Sequence, residues 1–142
     1  LKIEQVSAVA DEVFVLKMTA TNTIPVLRIF DYAKAIEFYV EWLGFEVEFE
    51  HRFEENAPVY IEVRKGGIVL HLSEHYGDAS PGSSVFIWCT ALKVYQESLL
   101  AKKYKYYRPS LEETFYGSWC MKVLDPFGNK LLFNEKRETP IR

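Results

Sequence analysis

The sequence predicts an α+β protein built from two tandem β-α-β-β-β modules. Three observations carry this. Strand-length and helix-length apolar patterns follow one another as β-α-β-β-β, and the order then repeats. The letters repeat too: IPVLRIFD (24–31) overlays SVFIWCTA (84–91) at an offset of 60, and GIVLHLSE (67–74) overlays GNKLLFNE (128–135) at an offset of 61. Each copy closes on a hairpin, turned at Lys65-Gly66-Gly67 in the first and at DPFG (125–128) in the second.

The elements follow in order. TIPVLRIF (23–30) is a β-branched apolar run and predicts a strand. DYAKAIEFYVEWLG (31–44) predicts a helix, with Asp31 placed to cap its start and Gly44 to close its end. Ala35, Ile36, Tyr39, Val40 and Leu43 recur at helical spacing and form its expected buried face. FEVEFE (45–50) alternates as a half-buried strand does, so Glu46, Glu48 and Glu50 are expected on one face, as a solvated edge or as an acidic rim that draws in a basic ligand. PVYIEVRKGGIVLHLSE (58–74) holds two strands, and HYGDASPGS (75–83) reads as a loop. SVFIWCT predicts the next strand and ALKVYQESLLAKK the second helix. YKYYRP (104–109) reads as short and extended, SLEETFYG (110–117) as a loop, and SWCMKVL and NKLLFNE as the last two strands. The expected organisation is an arm over 1–22, a first module over 23–76, a linker over 77–82, a second module over 83–136 and a tail over 137–142. Together these make one structural domain.

Composition narrows the function classes. A chain of 142 residues that is 49% hydrophobic can bury a real core. Ten Phe, nine Tyr and three Trp are a high aromatic content; large rings fill cores and also line pockets for flat ligands. A net charge of −3 argues against nucleic acid and is compatible with a cationic small molecule. Cys89 and Cys120 both lie in apolar strand-like runs and are expected to be free and buried rather than bridged. With no membrane-length apolar run and no signal-peptide pattern, a cytoplasmic location is expected.

Residues 71–75 spell HLSEH, the inverted zinc-protease motif. That motif needs both histidines on one helical face. GIVLHLSE alternates with period 2, so it predicts a strand. On a strand His71 and His75 stand about 13 Å apart, at roughly 3.3 Å per residue. They cannot share a metal there.

The pattern IPVLRIFDYAKAIEFYVEWLGFEVEFE, then GIVLHLSEHYGDASPGSSVFI, then VLDPFGNKLLFNE, resembles the glyoxalase/bleomycin resistance/extradiol dioxygenase superfamily, also called vicinal oxygen chelate proteins. The resemblance covers residues 23 to 136. The Tyr116-Gly117 pair before the last hairpin and LHLSEHYGDASPG look most like the bleomycin-resistance branch. The resemblance implies two strongly curved mixed sheets whose concave sides form a ligand cleft, and a homodimer that completes it. It also implies four metal-ligand positions in metal-dependent relatives. Here they fall on Ile24, His71, Ser84 and Leu132. Only His71 is a good ligand, and a catalytic zinc or iron site needs about three. No metal or other cofactor is therefore expected.

Alternation then assigns the cleft lining. With Leu70 and Leu72 on the helix, His71 faces the cleft, joined by Arg28, Tyr60, Glu62, Phe86 and Trp88. Trp119 is added as a further ring. The expected function is metal-free binding of a planar or cationic small molecule, such as a bleomycin-type antibiotic, without membrane or nucleic-acid partners. A glyoxalase-like lyase using His71 and Glu62 as acid and base, or a module binding an unrelated metabolite, are the alternatives.

Overall fold

The structure, a computed structural model, describes residues 16–104 and 107–138. Most of the arm expected over 1–22 lies outside them. The chain forms two four-stranded mixed sheets. The first has the order β1-β4-β3-β2, from β1 (Val26–Arg28), β2 (Glu46–His51), β3 (Tyr60–Lys65) and β4 (Ile68–Ser73). The second has the matching order β5-β8-β7-β6, from β5 (Ser84–Trp88), β6 (Leu111–Glu113), β7 (Ser118–Leu124) and β8 (Lys130–Lys136).

The register shows the duplication directly. Val26 pairs with His71 in the parallel β1–β4 ladder, and Phe86 pairs with Leu132 in β5–β8. These are the offsets of 60 and 61 found in the letters. β1 is shorter than the predicted strand 23–30. Pro25 has no N–H to give the ladder, but its carbonyl still accepts from the His71 N–H at 3.0 Å. In the second half, the strand after the helix is β6, inside the stretch SLEETFYG read as a loop; YKYYRP, read as short and extended, lies partly outside the described residues.

Helix α1 (Tyr32–Ala35) starts where Asp31 accepts a hydrogen bond from the Lys34 N–H at 2.9 Å. It runs directly into a π-helical segment, Ile36–Trp42, in which the Leu43 N–H bonds back five residues to the Phe38 carbonyl. The buried face is Ala35, Phe38, Tyr39, Trp42 and Leu43, itself an i, i+3, i+4, i+7, i+8 set, so it is rotated from the expected one: Phe38 and Trp42 are 1% and 2% exposed, whereas Ile36 and Val40 are only partly buried. Helix α2 (Leu92–Ala101) lacks a capping side chain at Ala91, which stands where Asp31 stands in the first half. The Glu135 carboxylate of β8 takes over, accepting from the Ala91 and Leu92 N–H groups at 3.2 and 3.0 Å. An acidic group also suits the positive end of the helix.

Both sheets lay one face on a shared core. Leu27, Ile61, Val63, Leu70 and Leu72 from the first, and Ile87, Met121, Val123, Leu131 and Phe133 from the second, are all at most 8% exposed. Each fully buried side chain of this kind contributes about 1.5–3 kcal/mol.

The two halves meet through their helices. Trp42 donates its indole N–H to the Leu99 carbonyl at 3.3 Å and stacks on Tyr104 with centroids 4.9 Å apart. The Tyr95 hydroxyl donates to the Leu43 carbonyl at 2.6 Å. A polar joint completes the contact. The Asp125 carboxylate, 4% exposed, accepts from the Tyr39 hydroxyl at 2.6 Å, the Phe127 and Asn129 N–H groups at 2.8 Å, and the Asn129 amide at 2.9 Å. The same Asn129 amide donates to the Arg28 carbonyl at 2.8 Å. The DPFGN hairpin is thus the peg by which the second half holds the first. Burial, and then the neighbouring carboxylate, push the Tyr39 hydroxyl well above the usual phenol range, so it stays a donor.

Candidate functional site

With one face of each sheet on the core, the opposite faces carry the candidate site. On the first sheet, alternation turns Val26, Arg28, Tyr60, Glu62, Arg64 and His71 outward, and Tyr60, His71, Glu62 and Arg64 form a chain of hydrogen bonds. The His71 Nε2–H donates to Glu62 at 2.8 Å. That leaves Nδ1 to accept from the Tyr60 hydroxyl at 2.7 Å. Arg64 donates to the second Glu62 oxygen at 2.7 Å, and Phe49 stands edge-on to the imidazole at 5.8 Å. Glu62 is only 6% exposed. Hydrogen bonds first from His71 and then from Arg64 hold its carboxyl below the usual range. Burial, then the charges of Asp78 and Glu62, push the Tyr60 hydroxyl up.

This arrangement predicts a pH dependence. Glu62 is depressed in the folded state, so between its folded value and the ordinary 4.5 the unfolded chain binds more protons. The stability it contributes is complete above about pH 4.5 and is lost as pH falls through the folded value. Urea midpoints measured from pH 6 down to about 3 should fall more steeply for the wild type than for Glu62→Gln.

On the second sheet the outward face is aromatic. Phe86 and Trp88 are 46% and 52% exposed, with centroids 5.0 Å apart, and Tyr116, 47% exposed, lies 6.2 Å from Phe86. The sheet holds them in place. Tyr116 donates to the buried Asn134 side chain at 3.1 Å, and Asn134 also accepts from Ser118 at 2.8 Å.

Of the residues predicted from sequence, His71, Tyr60 and Glu62 meet on the first face, and Phe86 and Trp88 on the second. Arg28 sits at the end of the first face, its guanidinium 4.5 Å over the Phe30 ring, beside a polar depression shared with Arg52 and Glu74. Trp119 does not join them. It shares strand parity with the buried Met121 and Val123, and lies by Leu92, Lys93 and Glu135 on the helix side. The acidic rim also divides. A β-bulge between Val47 and Phe49 sets Glu46 opposite Arg64 on the open side, while Glu50 pairs with the buried Ile61 and accepts from Tyr32 on the helix side. Phe49 and Tyr116 are the site residues that sequence reasoning missed. The bulge hid the first. Tyr116 had a visible signal, the exposed Tyr-Gly pair before a predicted strand.

HLSEH lies on β4 and the turn after it, not on a helix. Glu74 accepts from the Val59 N–H at 2.9 Å and faces Arg52 at 3.8 Å, so it stitches the sheet edge. The four family ligand positions do not fit a metal. Ile24 and Leu132 offer no donor atoms, Ser84 lies on the opposite sheet from His71, and both ring nitrogens of His71 are engaged. Among the described residues, no three His, Cys, Asp or Glu side chains converge as a ligand set. Cys89 and Cys120 are free but half-buried rather than fully buried. Burial is the main cause that raises both thiols, which makes them poor nucleophiles. No helix among the described residues is long and apolar enough to cross a membrane.

A family model described as "Glyoxalase superfamily protein" matches residues 9–140. The chain belongs to the glyoxalase superfamily. Solved structures agree on the fold. A bleomycin-binding protein complexed with bleomycin superposes with a TM-score of 0.63 at 19% identity, covering 83% of this chain and 100% of the other. A bleomycin resistance determinant encoded on the transposon Tn5 gives 0.64 at 20%, covering 84% and 100%. TnmS3, an antibiotic binding protein from Streptomyces sp. CB03234, gives 0.66 at 17%, covering 84% and 99%. No curated protein matches the chain. In this superfamily protein, the paired modules carry open faces of different character: a hydrogen-bonded polar one and an exposed aromatic one.

Proposed function

We propose that this glyoxalase superfamily protein is a metal-free binding protein that holds a planar small molecule, with a homodimer completing the cleft. The observation that carries the reading is the aromatic face of the second sheet. Three large rings stand together, each about half exposed, on a strand framework whose polar groups are already satisfied. Exposed aromatics clustered on a rigid surface offer stacking at low ordering cost. The solved complex of the structurally similar bleomycin-binding protein supports this reading. Sequestering an antibiotic of that type is its most specific form. A metal-dependent lyase fits less well, because one histidine with both nitrogens engaged cannot replace about three ligands.

Calorimetric titration with 2-naphthol, a neutral planar probe, tests the reading. The wild type is expected to bind saturably, and Trp88→Ala to bind at least about 10-fold more weakly, or about 1.4 kcal/mol. Its urea midpoint should stay unchanged, since Trp88 is 52% exposed and anchors no core. Absence of binding, or equal binding by the variant, would overturn the proposal. Native mass spectrometry of the purified protein reads the dimer and any bound metal together.

A further inference from the structure

The charge on the aromatic face is opposite in sign to that of the whole chain. The protein carries a net charge of −3. Yet strand parity places Lys122, Lys130 and Lys136 on the outward side of the second sheet with Phe86 and Trp88. All three lysines are exposed, and among the described residues none of them is in an ion pair. One carboxylate shares the face: Glu112, paired with Cys120 at the far edge on β6. Three lysines against one glutamate leave the face positive by two.

The positions are specific. Lys122 pairs with Leu132, which pairs with Phe86, so it stands two strands from that ring, about 10 Å at strand spacing. Lys130 pairs with Ser84 on the strand that carries both rings. Lys136 places its ammonium 5.3 Å from the centroid of Trp88. A cation already sits over the best stacking ring, so a cationic ligand must displace it and face two more. A flat anion can stack between the rings and pair with the lysines around them. The first sheet offers a cation little, because Glu62 is already engaged by Arg64 and His71.

We infer that the second sheet selects an aromatic anion, a planar ring system bearing a carboxylate or sulfonate, over a cation of the same shape. The inference rests on the binding reading above and sharpens it against the cationic ligand that overall charge suggested.

The test compares 2-naphthalenesulfonate with (2-naphthylmethyl)ammonium, one ring system with opposite charges, by calorimetry at low salt. The sulfonate is expected to bind at least about tenfold tighter, and the preference to shrink as sodium chloride is raised. In a Lys122→Gln, Lys130→Gln, Lys136→Gln variant, the preference should fall to within about twofold. The wild-type salt series reads the same effect without any substitution. Equal or tighter binding of the ammonium probe, or an unchanged preference in the variant, would overturn the inference while leaving the binding reading intact. If neither charged probe nor 2-naphthol binds, both fall.

Discussion

Replacing Asp125 with alanine is expected to lower folding stability by about 3–5 kcal/mol. The carboxylate is 4% exposed and accepts from four donors. Its removal strands the Tyr39 hydroxyl, the Asn129 amide and two backbone N–H groups in a site built to exclude water. Each stranded buried donor costs about 1–3 kcal/mol, less whatever water enters the gap. In urea, with a slope of about 1–3 kcal/mol per molar, the midpoint should fall by roughly 2 M. Tyr39→Phe is the graded control. It removes one hydrogen bond and leaves the other three, so it should cost about 1 kcal/mol. If the two substitutions cost the same, the joint is not the anchor its geometry implies. A second consequence follows for the site. Asn129 links this carboxylate to the Arg28 carbonyl at the end of the first open face. Asp125→Ala should therefore weaken binding of 2-naphthol if the faces must be held in register.

Trp42→Ala carries the next largest effect, a loss of about 3–5 kcal/mol. The ring is 2% exposed. It packs on Phe38, stacks on Tyr104, meets Tyr107 edge-on at 6.0 Å, and donates to Leu99. Truncation leaves a cavity between the helices and an orphan carbonyl. The contrast with Trp88→Ala is the discriminating result. One tryptophan should govern stability and the other binding, with little overlap. Thermal unfolding of both variants, alongside titration, reads this directly.

Much of this was legible in the chain because it is local. Strand β7 matches the predicted SWCMKVL, and the two repeat offsets reappear as strand register. His71, Tyr60, Glu62, Phe86 and Trp88 were assigned to outward faces by period-2 alternation alone, and the structure puts them there. What escaped depends on contacts far apart in sequence. Phe38 and Trp42 share an α-helical face with Ala35, Tyr39 and Leu43, but local spacing fits the neighbouring face of Ile36 and Val40 as well, and the Trp42 contacts with Leu99 and Tyr104 of the other half lie on the first. The bulge in β2 inserts one residue and so changes which side Phe49 and Glu50 face. Trp119, expected as a further cleft ring, follows instead the parity of the buried Met121 and Val123. Lys130 and Lys136 share a face by strand parity on β8, and the register of β7 against β8 adds Lys122 to it.

The borrowed cap of α2 also bears on the order in which the chain assembles. α1 carries its own start signal, since Asp31 closes on Lys34 three residues away. α2 waits for Glu135, 44 residues after Ala91. During synthesis at about 5–20 residues per second, the second helix is exposed for roughly 2–9 s before that glutamate is made. The first half can nucleate as it emerges. The second can settle only when its last strand arrives, so the aromatic surface takes its final shape last.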